Sequence, residues 1–439
     1  MFVASQKPMH FLRINLPVFN SNEKTFHDQP GINITTPFGD LEPLRCLIRD
    51  TGLLCWSASS TIAPSSTYYY SFVESLKKLY NFTESENLIG AAYDWRYPPE
   101  FFVEMQKKFF ESLKREIETS VERTGLKAVI VAHSMGNKVL HYFLTRETTA
   151  QWREQYMNMT INAAPAFGGS VGAMKELATG KGIAWLGIGV RREVARDFTR
   201  SLPSLASLLP SPSLFNSSRI LVSVGNKTFT TADMEEFLTL ANSSHLFSHF
   251  RQSEEIQPDV PMLVVIGNLS KSTPSRYTYA RSIDEEPVEE NKVDGDERIE
   301  AAVIEELCRM WSKDGAQIEL KHLPKEHTKL IMSHEFVNIF GNAVVRKLPD
   351  GQRYPMLQNV VLTRGNRICF SAEPYARCHS GIPPLKSLMQ VAQFVCFPQE
   401  SEMAKELTKQ EAENMIFDLT EYKVAFSASL EVAQICIDI

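Results

Sequence analysis

Ser134 is the residue whose setting in this sequence most strongly indicates chemistry. It lies in the stretch KAVIVAHSMGNKVLHYFL (127–144), where a short run of β-forming residues ends at His-Ser-Met-Gly and an apolar helical pattern follows. A serine at such a strand-to-helix turn is strained, so the residues two positions away must be small, as Ala132 and Gly136 are. The alternative is a helix cap. The context favours a nucleophile, with the backbone N–H of Met135 directed at a developing oxyanion.

A serine nucleophile needs a base and an acid that orients the base, and both are expected later in the chain, in the order Ser, Asp, His. The acid is expected in the loop after a late strand, where the sequence has Asp294 and Asp296. The base is expected between the last strand and a helix, where His322, His327 and His334 are candidates. His327 is best placed, because the other two fall within the predicted strand and helix. The structural alternatives are a solvated turn for the aspartates and a helix start for the histidine.

The elements that would position these residues alternate between strand-like and helix-like segments from residue 80 to 345. Strands are predicted at 87–95, 128–132, 159–163, 262–266 and 318–323. Helices are predicted from about 98 to Gly125 and over 138–145. Such alternation favours an α/β fold with a mainly parallel sheet covered by helices on both faces.

Two regions depart from this alternation. Residues 182–255 are rich in Pro, Ser and Leu and are predicted to form a cap inserted into the domain of residues 1–345. Residues 346–439 are predicted to form a separate, β-rich module. This module contains four of the seven cysteines, which are Cys369, Cys378, Cys396 and Cys436. They permit two disulfides in an oxidising compartment, and reduced core cysteines are the alternative.

Composition excludes several classes of protein. A net charge of -6 with intermingled signs indicates neither a nucleic-acid partner nor a polybasic membrane anchor. The longest apolar runs, such as GIAWLGIGV from Gly182, are shorter than the roughly 18 residues that a spanning helix needs. The cysteines and histidines lack tight ligand spacing, so no metal is implied.

The compartment signals conflict. Seven Asn-x-Ser/Thr sequons favour surface glycosylation in the secretory route, and they begin at Asn33, Asn81, Asn158, Asn216, Asn226, Asn242 and Asn268. The first sixteen residues, however, lack the plan of a signal peptide. Either the protein is cytosolic with unused sequons or, as we favour, the sequence starts downstream of its true beginning.

Several motifs in residues 20–345 together resemble the lecithin:cholesterol acyltransferase family, which includes lysosomal phospholipases and phospholipid:diacylglycerol and phospholipid:sterol acyltransferases. AAYDWRYPP (91–99) and AHSMGN (132–137) resemble that family's Tyr-Asp-Trp-Arg signature and nucleophile elbow. Four further stretches are similar to family segments in the same order, namely NAAPAFGGS, LATGKG, VDGDERIEA and PKEHTKLIMS. The aspartate match is loose, because Arg298 and Ile299 replace Thr-Val.

The resemblance implies an α/β-hydrolase fold with a lid and a membrane-touching cap. It implies Ser134 as nucleophile, His327 as general base and Asp296, the second acid of its motif, as the orienting partner. The reaction would move a fatty acyl chain from a phospholipid to a lipid hydroxyl or water, at a membrane or lipoprotein surface and without a cofactor. The implied location is the secretory route, extracellular or lysosomal, with the cytoplasm as the alternative.

The resemblance also assigns supporting positions. Tyr93, Asp94, Trp95 and Arg96 are expected to brace the active-site loops rather than to act chemically. Trp185 and Leu186 are expected in a lid that screens an acyl tunnel, and the alternative is the ordinary core of an inserted subdomain.

Two departures from the family limit what the resemblance implies. The family's first core strand and the Gly-rich oxyanion loop after it are not found before Asp40. Loss of the oxyanion donor in that loop would lower the rate about 100- to 1000-fold. Cys308 is expected to be unpaired, because the strand that should hold its partner has no cysteine. The alternatives to an active acyltransferase are therefore a lipid-binding relic without turnover and a serine hydrolase of small esters.

Overall fold

The computed structural model describes residues 18–20, 25–27, 69–80, 82–100, 107–180, 192–252, 255–344, 360–364, 367–371, 394–398 and 423–426. The chain divides into two compact units. One comprises residues 1–77 and 82–347, and the other comprises residues 78–81 and 348–439.

The described strands, in chain order, are β1 (Val18–Asn20), β2 (Thr25–His27), β3 (Ala128–His133), β4 (Met157–Ala163), β5 (Val222–Val224), β6 (Lys227–Phe229), β7 (Met262–Gly267), β8 (Leu269–Tyr279), β9 (Glu289–Gly295), β10 (Ile318–Leu323), β11 (Val360–Arg364), β12 (Arg367–Ser371), β13 (Phe394–Pro398) and β14 (Lys423–Phe426).

The described α-helices are α1 (Tyr70–Tyr80), α2 (Lys107–Thr124), α3 (Gly136–Tyr142), α4 (Ala150–Tyr156), α5 (Val171–Thr179), α6 (Arg192–Ser201), α7 (Pro203–Ala206), α8 (Met234–Leu240), α9 (Phe247–Gln252), α10 (Ala301–Lys313), α11 (His327–Met332) and α12 (His334–Val344). A π-helical turn at Phe143–Glu147 continues α3, and 3₁₀ turns lie at Thr231–Asp233 and Ser244–Leu246.

A parallel sheet of four strands, in the order β10-β7-β4-β3, forms the centre of the first unit. Every residue of β7 (MLVVIG) is buried, as expected for a strand with both faces covered. The helices between these strands complete an α/β-hydrolase fold, and the sheet brings the carboxyl ends of all four strands to one edge.

A second sheet in this unit was missed by the sequence analysis. Its order is β6-β5-β8-β9, and β8 and β9 form a long antiparallel hairpin that leads to Asp296. The buried positions of β8 include Thr273, Ser275, Tyr277 and Tyr279. Small polar residues at inward positions hid the alternation of apolar and polar residues that marks a strand.

The strand predicted over residues 87–95 is wrong. This segment forms turns and an isolated bridge between Glu84 and Leu88. Within the described residues β3 is the last strand on this side of the sheet, so no described strand lies beside the segment to supply ladder hydrogen bonds. The other four predicted strands coincide with β3, β4, β7 and β10.

The second unit contains an antiparallel sheet in the order β13-β12-β11-β14. In its register Cys369 of β12 lies opposite Cys396 of β13. Cys378 and Cys436 lie outside the described residues, so the pairing of these four cysteines stays a prediction.

Candidate active site

The turn at Ser134 is a strained connection between strand and helix. β3 ends at His133 and α3 begins at Gly136, and Ser134 has a φ of 53°, in the left-handed region. This conformation costs about 1–2 kcal/mol and persists only where other contacts hold it. The Ser134 N–H donates to the Ala163 carbonyl at 3.1 Å, and the Ser134 carbonyl accepts the N–H of Asn137 at 3.1 Å. Bonds to the neighbouring strand and to the following helix therefore hold the turn.

Ser134, His327 and Asp296 form a continuous row of hydrogen bonds. His327 Nε2 lies 2.7 Å from Ser134 Oγ, and His327 Nδ1 lies 2.6 Å from Asp296 Oδ2. Because a carboxylate only accepts, Nδ1 carries the proton and Nε2 of the neutral ring accepts from the serine hydroxyl. The serine and the histidine are 193 positions apart in sequence. The structure thus places the three predicted side chains in the order that acyl transfer by a serine requires.

Asp296 follows β9 directly and is 2% exposed. Its Oδ1 accepts the backbone N–H groups of Arg298 and Ile299 at 2.9 and 2.7 Å. Burial tends to raise the pKa of this carboxyl, but the charge of His327 and the hydrogen bonds to Asp296 outweigh burial and hold the pKa below its usual range. Asp296 is therefore ionised at neutral pH and can stabilise positive charge on the imidazole.

Gly267, at the end of β7, makes room for the acid and the histidine loop. A Cβ at position 267 would lie 2.4 Å from Asp296 Cβ and 2.4 Å from the Lys325 carbonyl oxygen. The N–H of His327 also donates to the Asp296 carbonyl at 2.8 Å. Only glycine permits this close approach of three chain segments.

The other candidates from the sequence have different neighbours. Asp294 Oδ1 accepts the N–H of Lys271 at 2.7 Å on the surface. His322 lies in β10 and faces Glu305, with 2.9 Å between Nε2 and Oε1. His334 is the first residue of α12.

A buried histidine that the sequence analysis missed, His133, contacts the loop of His327. Its Nε2 donates to the His327 backbone carbonyl at 2.9 Å, and the two ring centroids are 4.9 Å apart. Burial, helped by the neighbouring His327, lowers the pKa of His133 to about 3, so its ring stays neutral. The available signal was its position at the end of a buried strand, directly before the nucleophile.

A second missed feature is a set of buried polar side chains beneath the elbow. Its members are Asn137, His141, Thr160 and Asn162. Burial lowers the pKa of His141 to about 3, so this ring is also neutral. Polar residues inside the otherwise apolar segment MTINAAP were the available signal.

The backbone N–H of Met135 is the predicted oxyanion donor. Met135 follows the nucleophile and precedes α3, with φ of -59° and ψ of -27°. Among the described residues this N–H has no acceptor, so it is available to a substrate oxygen. The family's Gly-rich oxyanion loop was expected to be missing from the part of the chain before Asp40. Part of that region belongs to residues 28–68, which lie outside the described residues.

The segment predicted to brace the site contacts helices α6 and α7. Arg96 is 7% exposed, and its Nε donates to Asp94 Oδ1 at 2.9 Å. The Trp95 ring meets Phe198 of α6 edge-on at 6.3 Å, and the Arg96 carbonyl accepts the N–H of Ser204 at 3.2 Å. These contacts connect residues 94–96 to α6 and α7.

Of the remaining predicted positions, Tyr93 is described and Trp185 and Leu186 lie outside the described residues. A Cβ added to Gly136 would lie 3.7 Å from the Tyr93 hydroxyl oxygen, which places this tyrosine beside the elbow. Burial raises the pKa of Tyr93, so its hydroxyl stays protonated at neutral pH.

A buried cluster of charges lies one helical turn after the nucleophile. Lys138 of α3 forms an ion pair with Glu255, and their side chains are 6% and 5% exposed. Glu255 Oε1 also accepts the N–H of Gly168 at 2.9 Å. Burial and the like charge of Glu255 raise the pKa of Glu100 to about 6, and the Lys138 charge opposes them. Lys138 is therefore paired with Glu255, and its charge also favours the ionised form of Glu100.

Comparison with known proteins identifies similar chains. The family model described as lecithin:cholesterol acyltransferase matches residues 1–274 of the 439. The chain is 25% identical over 331 residues to phosphatidylcholine-sterol acyltransferase from Mus musculus, covering 72% of this chain and 69% of that protein. It is 27% identical over 330 residues to lysosomal phospholipase A and acyltransferase from Rattus norvegicus, covering 72% and 73%. It is 25% identical over 344 residues to lecithin-cholesterol acyltransferase-like 1 from Arabidopsis thaliana, covering 73% and 75%.

Proposed function

The chain belongs to the lecithin:cholesterol acyltransferase family, and from this premise we propose that it is a lipase-type serine O-acyltransferase. Its acyl donor is a phospholipid, and the acceptor is a lipid hydroxyl or water. The observation that carries the proposal is the hydrogen-bonded row of Ser134, His327 and Asp296, at 2.7 and 2.6 Å. The names of the relatives, a phosphatidylcholine-sterol acyltransferase and a lysosomal phospholipase A and acyltransferase, support the substrate class.

In the first half of the proposed reaction, Ser134 Oγ attacks the ester carbonyl carbon while His327 Nε2 takes the hydroxyl proton. Asp296 stabilises the imidazolium, and the Met135 N–H donates to the oxyanion. The bond from the carbonyl carbon to the leaving oxygen then breaks. The lysophospholipid oxygen takes the proton from His327, and the acyl group stays on Ser134 as an ester.

In the second half, the acceptor hydroxyl or water gives its proton to His327 Nε2 and attacks the acyl-enzyme. Collapse of the second tetrahedral intermediate breaks the bond to Ser134 Oγ, which recovers the proton from His327. Acyl transfer and hydrolysis differ only in the acceptor that reaches the ester, so one triad supports both reactions.

We also propose that the protein is glycosylated in the secretory route. Five of the sequons lie in the described residues and all five asparagines are exposed, namely Asn158, Asn216, Asn226, Asn242 and Asn268. At Asn216, Oδ1 accepts the N–H and the hydroxyl of Ser218 at 2.9 and 2.8 Å, so the side chains of this sequon already contact one another. Expression in a secreting cell should give a protein that loses mass with peptide N-glycosidase, which hydrolyses the glycan-bearing side-chain amide and converts these asparagines to aspartates. Unmodified asparagines at all five positions would contradict the proposal.

The proposed site of action is the surface of a membrane or lipoprotein, with an extracellular or lysosomal location. Among the described residues, no helix is both long enough and apolar enough to span a bilayer. The word lysosomal in the name of one relative supports the location. If the protein binds peripherally, it should sediment with phosphatidylcholine vesicles and should be released from them without detergent.

An assay on vesicles of phosphatidylcholine and a sterol tests the reaction. The protein and the variants Ser134→Ala and Ser312→Ala are compared for release of fatty acid and formation of acyl sterol. Ser312 is an exposed serine on α10 and serves as the matched control. The native protein and the control should turn over equally, and Ser134→Ala should release no acyl product.

Three other results would overturn the proposal. Intact Ser134→Ala that still releases fatty acid would exclude this nucleophile. Native protein that neither turns over nor reacts covalently with a fluorophosphonate would support the lipid-binding relic. Turnover of short soluble esters without stimulation by vesicles would instead support a small-ester hydrolase.

A further inference from the structure

Two asparagines form a ladder of side-chain amides beneath the nucleophile. Asn137 Nδ2 donates to the Ser134 carbonyl at 3.0 Å and to the Ala163 carbonyl at 3.2 Å. Asn137 Oδ1 accepts from Asn162 Nδ2 at 2.9 Å, and Asn162 Oδ1 accepts the hydroxyl of Thr160 at 2.9 Å. Asn137, Thr160 and Asn162 are all 0% exposed. The ladder therefore runs from the interior of β4 to the strained peptide at Ser134.

The direction of every bond in this ladder is fixed. Carbonyl oxygens only accept, so the NH₂ group of Asn137 must face them and its oxygen must face Asn162. Asn162 must then turn its own NH₂ group toward Asn137 and its oxygen toward the hydroxyl of Thr160. The second N–H of Asn162 faces His141 Nε2 at 3.0 Å. Because burial keeps the His141 ring neutral, that nitrogen can act as the acceptor.

We propose that Asn137, held by Asn162 and Thr160, is the positioning residue for the nucleophile. Asn137 bridges the carbonyl of Ser134 to the carbonyl of Ala163, the last residue of β4. The ladder thereby holds Ser134 in its left-handed conformation, with Oγ at 2.7 Å from His327 Nε2. The inference rests on the proposed function, since it assigns a role to residues that support that nucleophile.

A substitution that replaces the hydrogen-bond donor at one end of the ladder with an acceptor tests this inference. In Asn137→Asp an oxygen replaces the NH₂ group and faces two carbonyl oxygens, so the elbow should shift. The rate constant of fluorophosphonate labelling at Ser134 should fall about 100-fold, a loss typical of displacing a reacting atom by roughly 1 Å. With phospholipid vesicles kcat should fall by the same factor and KM should not change. Asn342→Asp, on the exposed side of α12, is the matched control and should label at the native rate.

Thr160 supplies a milder pair of variants at the far end of the ladder. Thr160→Val keeps the volume and removes the hydroxyl, and Thr160→Ser keeps the hydroxyl and removes a methyl group. Thr160→Val should label about fivefold more slowly, as expected for the loss of one neutral hydrogen bond. Thr160→Ser should label at close to the native rate. All rates are measured at a temperature at which each variant is fully folded, with unfolding followed separately.

The outcomes separate a positioning role from a purely structural one. If the labelling rates of the folded variants match the native rate while only their unfolding temperatures fall, the ladder is structural and the inference is wrong. Equal rates for Thr160→Val and native protein would also contradict it. Failure of the native protein to label at all would instead overturn the proposed function. Should Asn137→Asp not fold, the Thr160 pair decides the question.

Discussion

The two ends of the central sheet are built differently. At the carboxyl ends of the strands, polar groups are buried and paired, and Ser134 and Ala164 have positive φ values of 53° and 40°. At the amino ends, a cleft of about 500 Å³ is lined by exposed polar residues that include Lys127 and Asn158 and by buried apolar ones that include Met157 and Val260. The register of β3 and β4 is irregular there, and Asn158 has no partner residue on β3.

The difference between the two ends indicates where a substitution lowers stability or activity. The buried side chains of Asn137, Thr160 and Asn162 hydrogen-bond to one another, so removing one of them leaves another unsatisfied in a place that water does not reach. At the amino end water can replace the contacts that exposed residues such as Lys127 and Asn158 lose. Four substitutions measure how sharply the two ends differ. Two of them are each compared with a control substitution at a residue elsewhere on the protein surface.

Asp296→Asn should have the largest effect. The amide can donate to Nδ1 of His327 and so stabilise the wrong tautomer of the ring, in which Nε2 no longer accepts the serine proton. We expect kcat on phospholipid vesicles to fall about 10⁴-fold, with little change in folding, because the two side chains have the same shape. Asp294→Asn is the matched control, since Asp294 accepts only the surface N–H of Lys271 among the described residues. An Asp296→Asn enzyme with more than a tenth of native kcat would remove Asp296 from the mechanism.

Lys138→Met should have the next largest effect, on stability. It leaves Glu255, 5% exposed, without the cation that compensates its burial. Breaking a buried pair in this way typically costs about 3–5 kcal/mol, which urea denaturation can measure. The control is Lys227→Met, because Lys227 and Glu236 form an ion pair with both side chains about half exposed. The loss in free energy of unfolding for Lys227→Met should be below about 1 kcal/mol. Equal losses for the two variants would contradict the difference expected between a buried and an exposed ion pair.

The sequence predicted those parts of the carboxyl end that depend on local pattern and chain order. Strands β3 and β7 are runs of apolar residues, and the loop position of His327, between a predicted strand and a predicted helix, favoured it as the base over His322 and His334. The segment 87–95 was mistaken for a strand because a strand needs a partner, and sequence pattern does not reveal that no described strand lies beside this segment.

The polar contacts were not predictable in the same way. Asn137 and Asn162 are 25 positions apart, and Lys138 and Glu255 are 117 apart. Nothing in either local sequence indicates that such residues will meet. The first pairing follows from the position of α3 beside β4, and the second from the return of the chain at Glu255 to α3, which only the fold supplies.

Glu100→Gln should have a smaller effect that depends on pH. The folded-state pKa of Glu100 is raised to about 6 by burial and by Glu255, against the opposing charge of Lys138. A raised carboxyl pKa means that the folded protein binds the proton more tightly than the unfolded chain. Glu100 therefore costs stability above pH 6, and this cost disappears as the pH falls below about 4.5. Glu100→Gln should be more stable than the native protein by about 1–2 kcal/mol at pH 7.

Urea denaturation at pH 7 and at pH 4.5 measures this difference. The stabilisation by Glu100→Gln should be present at pH 7 and absent at pH 4.5. Glu154→Gln, at an exposed residue of the amino-end cleft, is the control and should change stability by less than about 0.5 kcal/mol at both pH values. A Glu100→Gln effect that is the same at both pH values would show that the carboxyl is not a buried titrating group.

Asn158→Gln should have the smallest effect, although it changes the same strand and the same residue type as Asn162→Gln. Asn158 is exposed at the amino end of β4, whereas Asn162 is 0% exposed near its carboxyl end. Asn158→Gln should leave kcat unchanged, alter stability by less than about 0.5 kcal/mol and remove one glycan from the protein made in secreting cells. Asn162→Gln adds a methylene to a filled site, where overpacking typically costs about 1–3 kcal/mol, and it displaces the bond to Asn137. If Asn158→Gln lowered kcat as much as Asn162→Gln, position along the strand would not be what separates the two ends of the sheet.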